Sequence, residues 1–397
     1  MHRIDGEGAL PNGGWSEGDP AASELGTVVT ADFMFAVQEE IANAVEGSGQ
    51  VLDKSDNTQL LKAIGSGAGF RNRLINPHFR YWQRHAGPSP SLQVLSGGSG
   101  FFADRWFANG GSGASEVVDY SRVTPAAATS FSFTGAPAPP PSYLKVERSV
   151  VDTVAGGTYR TRLEDVRWGA GQDVTLSFWG YLDSGATTIT PQLTQHFGSG
   201  GSPSADVVVA AAGGATAVLT VGAWKLFSFR FEMPNLSGKV LGSNGDDYVE
   251  LEIDDGNTLC VYRILMPQLE RATVASQPEM RPDDLELRLC QRYFETTYQE
   301  GDAPGTVTAR GAIFCDQDGA VINMPEQRFQ QRKFALPSIT FYNPTDGLTG
   351  NVEHNLTGNF VLTPGTTVSA DSLGRWTTVD TEPFTEMQLH WTAEAEL

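Results

Sequence analysis

Positive charge is scarce in this chain. Its 397 residues carry 27 Lys and Arg against 47 Asp and Glu, a formal net charge of −20. Nucleic acid and anionic membranes are bound through a basic footprint that displaces counterions, so neither is an expected partner. Catalytic and metal-binding patterns are also missing. The six histidines (His2, His78, His85, His196, His354 and His390) form no HxxxH or HExxH pair, and no GxSxG elbow, Walker loop or Rossmann loop occurs. No catalytic residue, metal site or cofactor is therefore expected. Cysteine is nearly absent: Cys260, Cys290 and Cys315 are odd in number and form no CxxC pair. That excludes a disulfide framework and points to assembly in a reducing cytoplasm. Cys260, in the apolar run Leu259-Cys260-Val261, reads as a buried free thiol. No apolar run approaches the ~18 residues of a membrane span, and residues 1–30 show no signal-peptide core. The expectation is a protein that leaves the cell only within a released particle. No fixed period recurs, which excludes a shaft of stacked repeats.

What is present points to β-structure. Apolar residues make up 40% of the chain and charged residues 19%, with 44 Gly and 22 Pro supplying turns and 8 Trp, 10 Tyr and 21 Phe able to fill more than one core. Alternation with period two runs through Val174-Thr175-Leu176-Ser177-Phe178, through Phe227, Phe229 and Phe231, and through Val249, Leu251 and Ile253 with Glu250 and Glu252 between them. These predict half-buried antiparallel strands. Further strands are expected at 101–107, 115–123, 142–150, 157–167, 186–197, 205–210 and 258–270. About ten strands separated by Gly, Pro and Ser turns, with no long helix between them, predict a jelly-roll β-sandwich over residues 71–275.

The flanks differ. Residues 1–30 have no period and read as an extended arm. Thr30 then caps a helix whose apolar stripe is Phe33, Val37, Ile41 and Ala44/Val45, ended by Gly47. A second short helix is expected from Asp56 to Ile64, with Asp56 and Gln59 as a capping box. Neither is long enough to be stable alone, so each must bury its stripe. Residues 1–70 hold 11 acidic and 3 basic residues, a net of −8 suited either to a basic socket or to a solvated hairpin. A connecting helix is expected within 276–298, opened by Pro282 with the stripe Leu285, Leu289 and Tyr293. Residues 299–397 read as a small C-terminal β domain, with strands near 306–315, 320–324, 338–342, 359–363, 374–379 and 385–392.

Two acidic loops, Asn244-Gly245-Asp246-Asp247 and Asp254-Asp255-Gly256-Asn257, offer oxygen ligands but read as ordinary turns. Trp82, Trp106, Trp168, Trp179 and Trp224 fall in or beside sandwich strands and are expected in the core or at its edge. In the terminal domain Tyr342, Trp376 and Trp391 are the candidate ligand-binding residues, because aromatic faces stack on the apolar faces of sugars. Filling a small core or a subunit interface is the competing role for each. Two carboxylates suited to glycoside hydrolysis need only meet in space, which keeps a polysaccharide depolymerase as an alternative.

Several blocks together resemble the tail-fibre and receptor-binding proteins of tailed bacteriophages. They are Thr27-Val28-Val29-Thr30-Ala31-Asp32, Leu52-Asp53-Lys54-Ser55-Asp56-Asn57-Thr58-Gln59-Leu60, Asn76-Pro77-His78-Phe79-Arg80-Tyr81-Trp82-Gln83-Arg84, Ala103-Asp104-Arg105-Trp106, Gln268-Leu269-Glu270 and Leu289-Cys290-Gln291-Arg292-Tyr293. The resemblance covers roughly residues 27–64 and 72–296. It implies a homotrimeric virion protein, made in the host cytoplasm. Such a protein is attached to other tail or baseplate proteins through residues 1–70, and its distal domains bind a host-surface glycan or outer-membrane receptor. A baseplate or tail-hub connector and a capsular or lipopolysaccharide depolymerase are the alternatives.

Overall fold

The computed structural model describes residues 4–48, 50–66, 70–125, 141–318, 321–324, 326–354, 358–361, 368–374, 376–379 and 386–397. The stretch from Pro125 to Pro141, which its Ala-Pro-Ala-Pro-Pro-Pro run at 136–141 marks as a loop in sequence, lies largely outside them. The described residues divide into two compact units. One holds the described residues of 4–71 and 274–279; the other holds those of 72–125, 141–273 and 280–397.

In the first unit, α1 spans Ala31–Gly47 and Thr30 caps it, its Oγ1 accepting the Phe33 N–H at 3.2 Å. Of the expected stripe Val45 is buried, Phe33 and Val37 are half-buried, and Ile41 is exposed. Trp15 meets Phe33 edge-on at 5.7 Å. The helix α2 covers Gln59–Ser66, starting three residues later than Asp56 suggested. Asp56 instead accepts from the N–H and hydroxyl of Thr58 at 2.8 and 2.6 Å and pairs with Lys62. Its carboxylate is thereby committed to a local turn, and no capping box forms. Residues 4–30 are not extended. Val28 N–H donates to the Glu7 carbonyl and Thr27 N–H to that of Ser16, folding the arm back on itself with Ile4 buried.

In the second unit thirteen strands form the sandwich: β1 Ser91–Leu95, β2 Ser99–Ala103, β3 Trp106–Asn109, β4 Val117–Val123, β5 Tyr143–Val150, β6 Thr158–Glu164, β7 Asp173–Gly185, β8 Thr188–His196, β9 Val207–Ala210, β10 Ala217–Val218, β11 Lys225–Glu232, β12 Tyr248–Asp254 and β13 Cys260–Glu270. One sheet runs β1-β4-β5-β13-β7-β11 and the other β10-β8-β12-β6-β3-β2, with β9 pairing β8. The expected jelly-roll sandwich is present. Phe227, Phe229 and Phe231 point inward while Ser228 and Arg230 face solvent, as their alternation requires. Strand β7 departs from expectation by being buried on both faces from Val174 to Gly180. Thr175 donates to the Ala272 carbonyl at 2.7 Å, and Trp179 joins a satellite cluster with Tyr143, Leu265 and Met266. The single strand expected at 101–107 is a hairpin, because Arg105 adopts φ +71° between β2 and β3.

Within the second unit, the blocks at 76–84, 103–106, 268–270 and 289–293 meet in a structural brace. Asn76 is fully buried. Its amide donates to the carbonyls of Tyr81 and Asp104 at 2.8 and 3.1 Å, and its Oδ1 accepts from Arg80 N–H at 2.8 Å. Trp106 Nε1 donates to the Asn76 carbonyl, and its ring lies 5.0 Å from Phe79. Asn72 bonds the Pro267 carbonyl and the Leu269 N–H, while the Arg105 guanidinium covers the Tyr293 ring at 3.5 Å. These side chains tie loop to strand and leave few polar atoms for a ligand.

The connecting helix α3 spans Asp283–Gln291 behind Pro282. It buries Glu286 and Cys290, whereas Leu285 and Leu289 of the expected stripe are half-buried. Arg281 makes the difference: it forks onto Glu286, which also accepts the Asn76 N–H at 2.5 Å, so the carboxylate is satisfied inside. The terminal sheet contains β14 Phe294–Thr296, β15 Ile313–Asp318, β16 Val321–Met324, β17 Ser338–Tyr342, β18 Asn351–His354, β19 Gly358–Val361, β20 Trp376–Val379 and β21 Glu386–Glu394. Strand β21 pairs with β14, β15, β17 and β18. Strands β14 and β18 were not anticipated, and the strand expected at 306–315 begins only at Ile313. The three cysteines are free and buried, and burial pushes the Cys260 thiol up to about 11.

Candidate functional site

The expected aromatic set of the terminal domain does not form one surface. Tyr342 is half-buried at the end of β17, its ring edge-on to Tyr298 at 5.8 Å, and Tyr298 stacks on His390 at 3.9 Å. Trp376 opens β20, and its side chain lies outside the described residues. Trp391 is 4% exposed and packs against Phe329 at 5.5 Å in the core of the terminal domain. Trp391 thus fills a core and has no free face for a sugar, which corrects the ligand-binding assignment made for it. The acidic loops are turns. Gly245 and Gly256 take φ +68° and +75°; Asp246 accepts the Ser199 N–H at 2.7 Å and Asp247 the Val166 N–H at 2.9 Å.

A different surface gathers the right chemistry, the outer face of the sheet containing β2, β3, β6, β12 and β8. In β6, Tyr159, Thr161 and Leu163 point into the core, so Arg160 and Arg162 point out. In β12 the inward residues are Val249, Leu251 and Ile253, leaving Tyr248, Glu250 and Glu252 on the outer face. Register sets these outward residues in rows. Phe101 lies opposite Phe107, Phe107 opposite Arg160, Arg160 opposite Glu252 and Glu252 opposite Gln192. With strands roughly 4.8 Å apart, this five-strand row is about 19 Å long. A second row sets Arg162 opposite Glu250 and Glu250 opposite Thr194, and a third sets Tyr248 opposite His196.

Polar groups on the face hold each other in place. Arg162 Nε donates to Glu250 at 2.7 Å, and Arg160 approaches the other oxygen of Glu250 at 3.4 Å. Gln192 donates to Glu252 at 2.7 Å, and His196 Nδ1 lies 2.7 Å from Asp206. Arg160 Nε has no hydrogen-bond partner among the described residues. Phe101 and Phe107 meet edge-to-face at 4.9 Å, His196 stacks on Tyr248 at 4.3 Å, and the Arg162 guanidinium lies 4.6 Å from the Tyr248 ring centre. Burial raises the Tyr248 phenol above its ordinary range against the pull of Arg162, so it is neutral and can donate a hydrogen bond. An open cleft of about 220 Å³ is lined by Phe101, Phe107, Arg160, Thr161 and Arg162, with Arg105, Glu396 and Leu397 at its side.

Chemically, this is a half-buried face with two aromatic rings at one end and a pre-oriented row of planar donors and acceptors beside them. Glu250 accepts from both guanidiniums and so fixes them on the face. The strand alternation that placed Glu250 and Glu252 outward was visible in sequence. Their register with Arg160, Arg162 and the two phenylalanines was not.

No family model matches the chain, and no curated protein matches it. Some solved structures are similar over part of the chain. The enzymatically active domain of tailspike protein 4 from bacteriophage CBA120 is 11% identical, with 52% of this chain and 22% of that one covered and a TM-score of 0.27. A putative sugar binding protein from Bacteroides thetaiotaomicron is 12% identical, covering 51% of this chain and 100% of that one, with a TM-score of 0.32. The C-terminal family 22 carbohydrate binding module of Clostridium thermocellum Xyn10B is 13% identical, covering 43% and 88%, with a TM-score of 0.27. This chain thus spans about a fifth of the tailspike domain it matches. Similarity at this level carries no functional inference.

Proposed function

We propose that this chain is a non-catalytic glycan-binding adhesin of a bacteriophage tail, and that the outer face of β2, β3, β6, β12 and β8 holds the glycan. The observation that carries the glycan reading is the row from the Phe101–Phe107 pair through Arg160 and Glu252 to Gln192 beside an open cleft. Sugars have apolar C–H faces and hydroxyl edges. A surface that recognises them pairs aromatic rings with fixed donors and acceptors, and this face sets two half-buried rings beside such a row. The row is long enough for an oligosaccharide.

Placement in the virion rests on the sequence blocks that resemble tail fibres. In keeping with it, Phe35, Ile41, Leu61 and Ile64 are 62%, 44%, 54% and 68% exposed on the chain alone. That apolar surface suits burial among three copies or against a tail protein. Trimerisation would also multiply weak single sites by avidity.

A fluorescently labelled chain on a printed array of bacterial surface glycans tests the binding reading. The expected result is retention by particular oligosaccharides, lost in Phe107→Ala, with no release of reducing ends. No retention by any glycan would overturn it, and reducing-end release would favour the depolymerase reading. Gold-labelled antibody to residues 299–397 should mark the distal end of the tail on intact particles, and absence from particles would remove the virion assignment.

A further inference from the structure

A second basin of about 630 Å³ opens in the Asn72–Leu397 unit, lined by Arg80, Pro88, Arg122, Glu300, Asp302 and Arg310 among others. Its three guanidiniums are not equally compensated. Arg310 is chelated by Asp302, Nη2 lying 3.2 and 3.0 Å from the two carboxylate oxygens. Arg80 pairs with Glu300. Arg122 reaches only that same Glu300, at 3.6 Å.

Arg122 sits in the inward register of β4 with Val118 and Tyr120, at the end of the strand, and is 7% exposed. Two of its nitrogens donate to backbone carbonyls, Nη1 to Arg80 at 2.5 Å and Nη2 to Pro88 at 2.9 Å. Its Nε has no hydrogen-bond partner among the described residues. Neutral carbonyls satisfy donors but do not cancel a charge. A nearly buried cation, its Nε enclosed by protein and its Nη groups held by neutral carbonyls, therefore borders a roomy basin beside two further guanidiniums. Desolvation lowers the Arg122 pKa from its ordinary value, the sign of an under-compensated cation.

We propose that this basin binds an oxyanion carried on a glycan, either the carboxylate of an acidic sugar or a phosphate substituent. Guanidinium N–H groups are directional and match the oxygens of both. Only the glycan carrier rests on the function proposed above. The oxyanion site uses none of the sheet-face residues.

The test is titration of the full chain with sodium glucuronate, sodium phosphate and glucose, followed through the arginine Nε–H signals by NMR. Saturable displacement of the Arg122 signal by glucuronate alone supports the carboxylate source. Displacement by phosphate alone supports the phosphate source, and displacement by both supports a general oxyanion site; glucose should have no effect. Arg122→Gln should abolish binding. Because that side chain also braces two carbonyls, a second variant is needed. Glu300→Gln removes an exposed competing carboxylate and should tighten anion binding about fivefold. Phe107→Ala should leave this binding unchanged, so failure here is distinguishable from failure of the sheet-face reading. Absence of displacement by either anion at tens of millimolar, or unchanged affinity in Glu300→Gln, would overturn the proposal.

Discussion

Replacing Arg148 with methionine should be among the most damaging single changes in the sandwich. Arg148 on β5 is fully buried between two carboxylates that are equally buried. It pairs with Glu116, and its Nη2 lies 2.5 Å from Asp255 Oδ1. The other oxygen of Asp255 accepts the Tyr262 hydroxyl at 2.7 Å, and Glu116 accepts the Gly157 N–H at 2.8 Å. Methionine fills similar space but leaves two unpaired carboxylates inside. Breaking a buried pair in this way costs about 3–5 kcal/mol. For a sandwich of about 200 residues that corresponds to a fall in melting temperature of roughly 6–20 °C. The pH dependence gives a second signature. Burial pushes the Asp255 carboxyl above its ordinary value, and Arg148 is the main force opposing that. Without Arg148 the folded-state pKa rises further above the unfolded one, so the folded variant binds more protons than the unfolded chain. Its stability must then fall as pH rises from about 4 through the raised pKa. The gap between wild type and variant, measured by urea unfolding, should be widest at neutral pH and narrow toward pH 4. Adding Glu116→Gln and Asp255→Asn should recover much of it. A gap below about 1 kcal/mol, or one equal at pH 4.5 and 7.5, would refute a buried ion trio.

Three further outcomes are expected. Burial, with the Arg281 charge, lowers His78 from 6.5 to about 4, so the unfolded chain binds more protons than the folded one between those values. Stability should be full above pH 6.5 and lost by about 3 kcal/mol as pH falls to 4, and His78→Phe should flatten that slope in pH-dependent urea unfolding. Glu286→Gln leaves Arg281 buried without its carboxylate and should cost roughly 3 kcal/mol by the same measurement, with a loss below 1 kcal/mol counting against the brace. Thr30→Ala removes the α1 cap and should cost about 1 kcal/mol locally, seen as roughly fivefold faster amide exchange in the first turn of the helix.

The parts legible in the sequence were those set by local periodicity. Alternating Phe227, Phe229 and Phe231 placed β11, and Thr30 before a 3.6-residue stripe placed α1. What remained hidden depended on side chains meeting across distance. Leu285 and Leu289 suggested the buried face of α3, but the Arg281–Glu286 pair turned a polar residue inward. Trp391 had the aromatic face of a sugar-stacking residue, yet it packs on Phe329 in the core of the terminal domain. The outward position of Glu250 and Glu252 followed from alternation, whereas that of Arg160 and Arg162 came from the burial pattern of β6. Their assembly into one row required the register of five strands, which no short window of sequence encodes.

The central claim is tested most directly by isothermal titration of an array-selected oligosaccharide into the wild-type chain and the Phe101→Ala/Phe107→Ala double variant. Each ring contributes about 0.5–1.5 kcal/mol of stacking. The account predicts affinity at least about fivefold weaker in the variant, with the sandwich still folded by circular dichroism. Equal affinity in the two proteins would place glycan binding elsewhere and contradict the account.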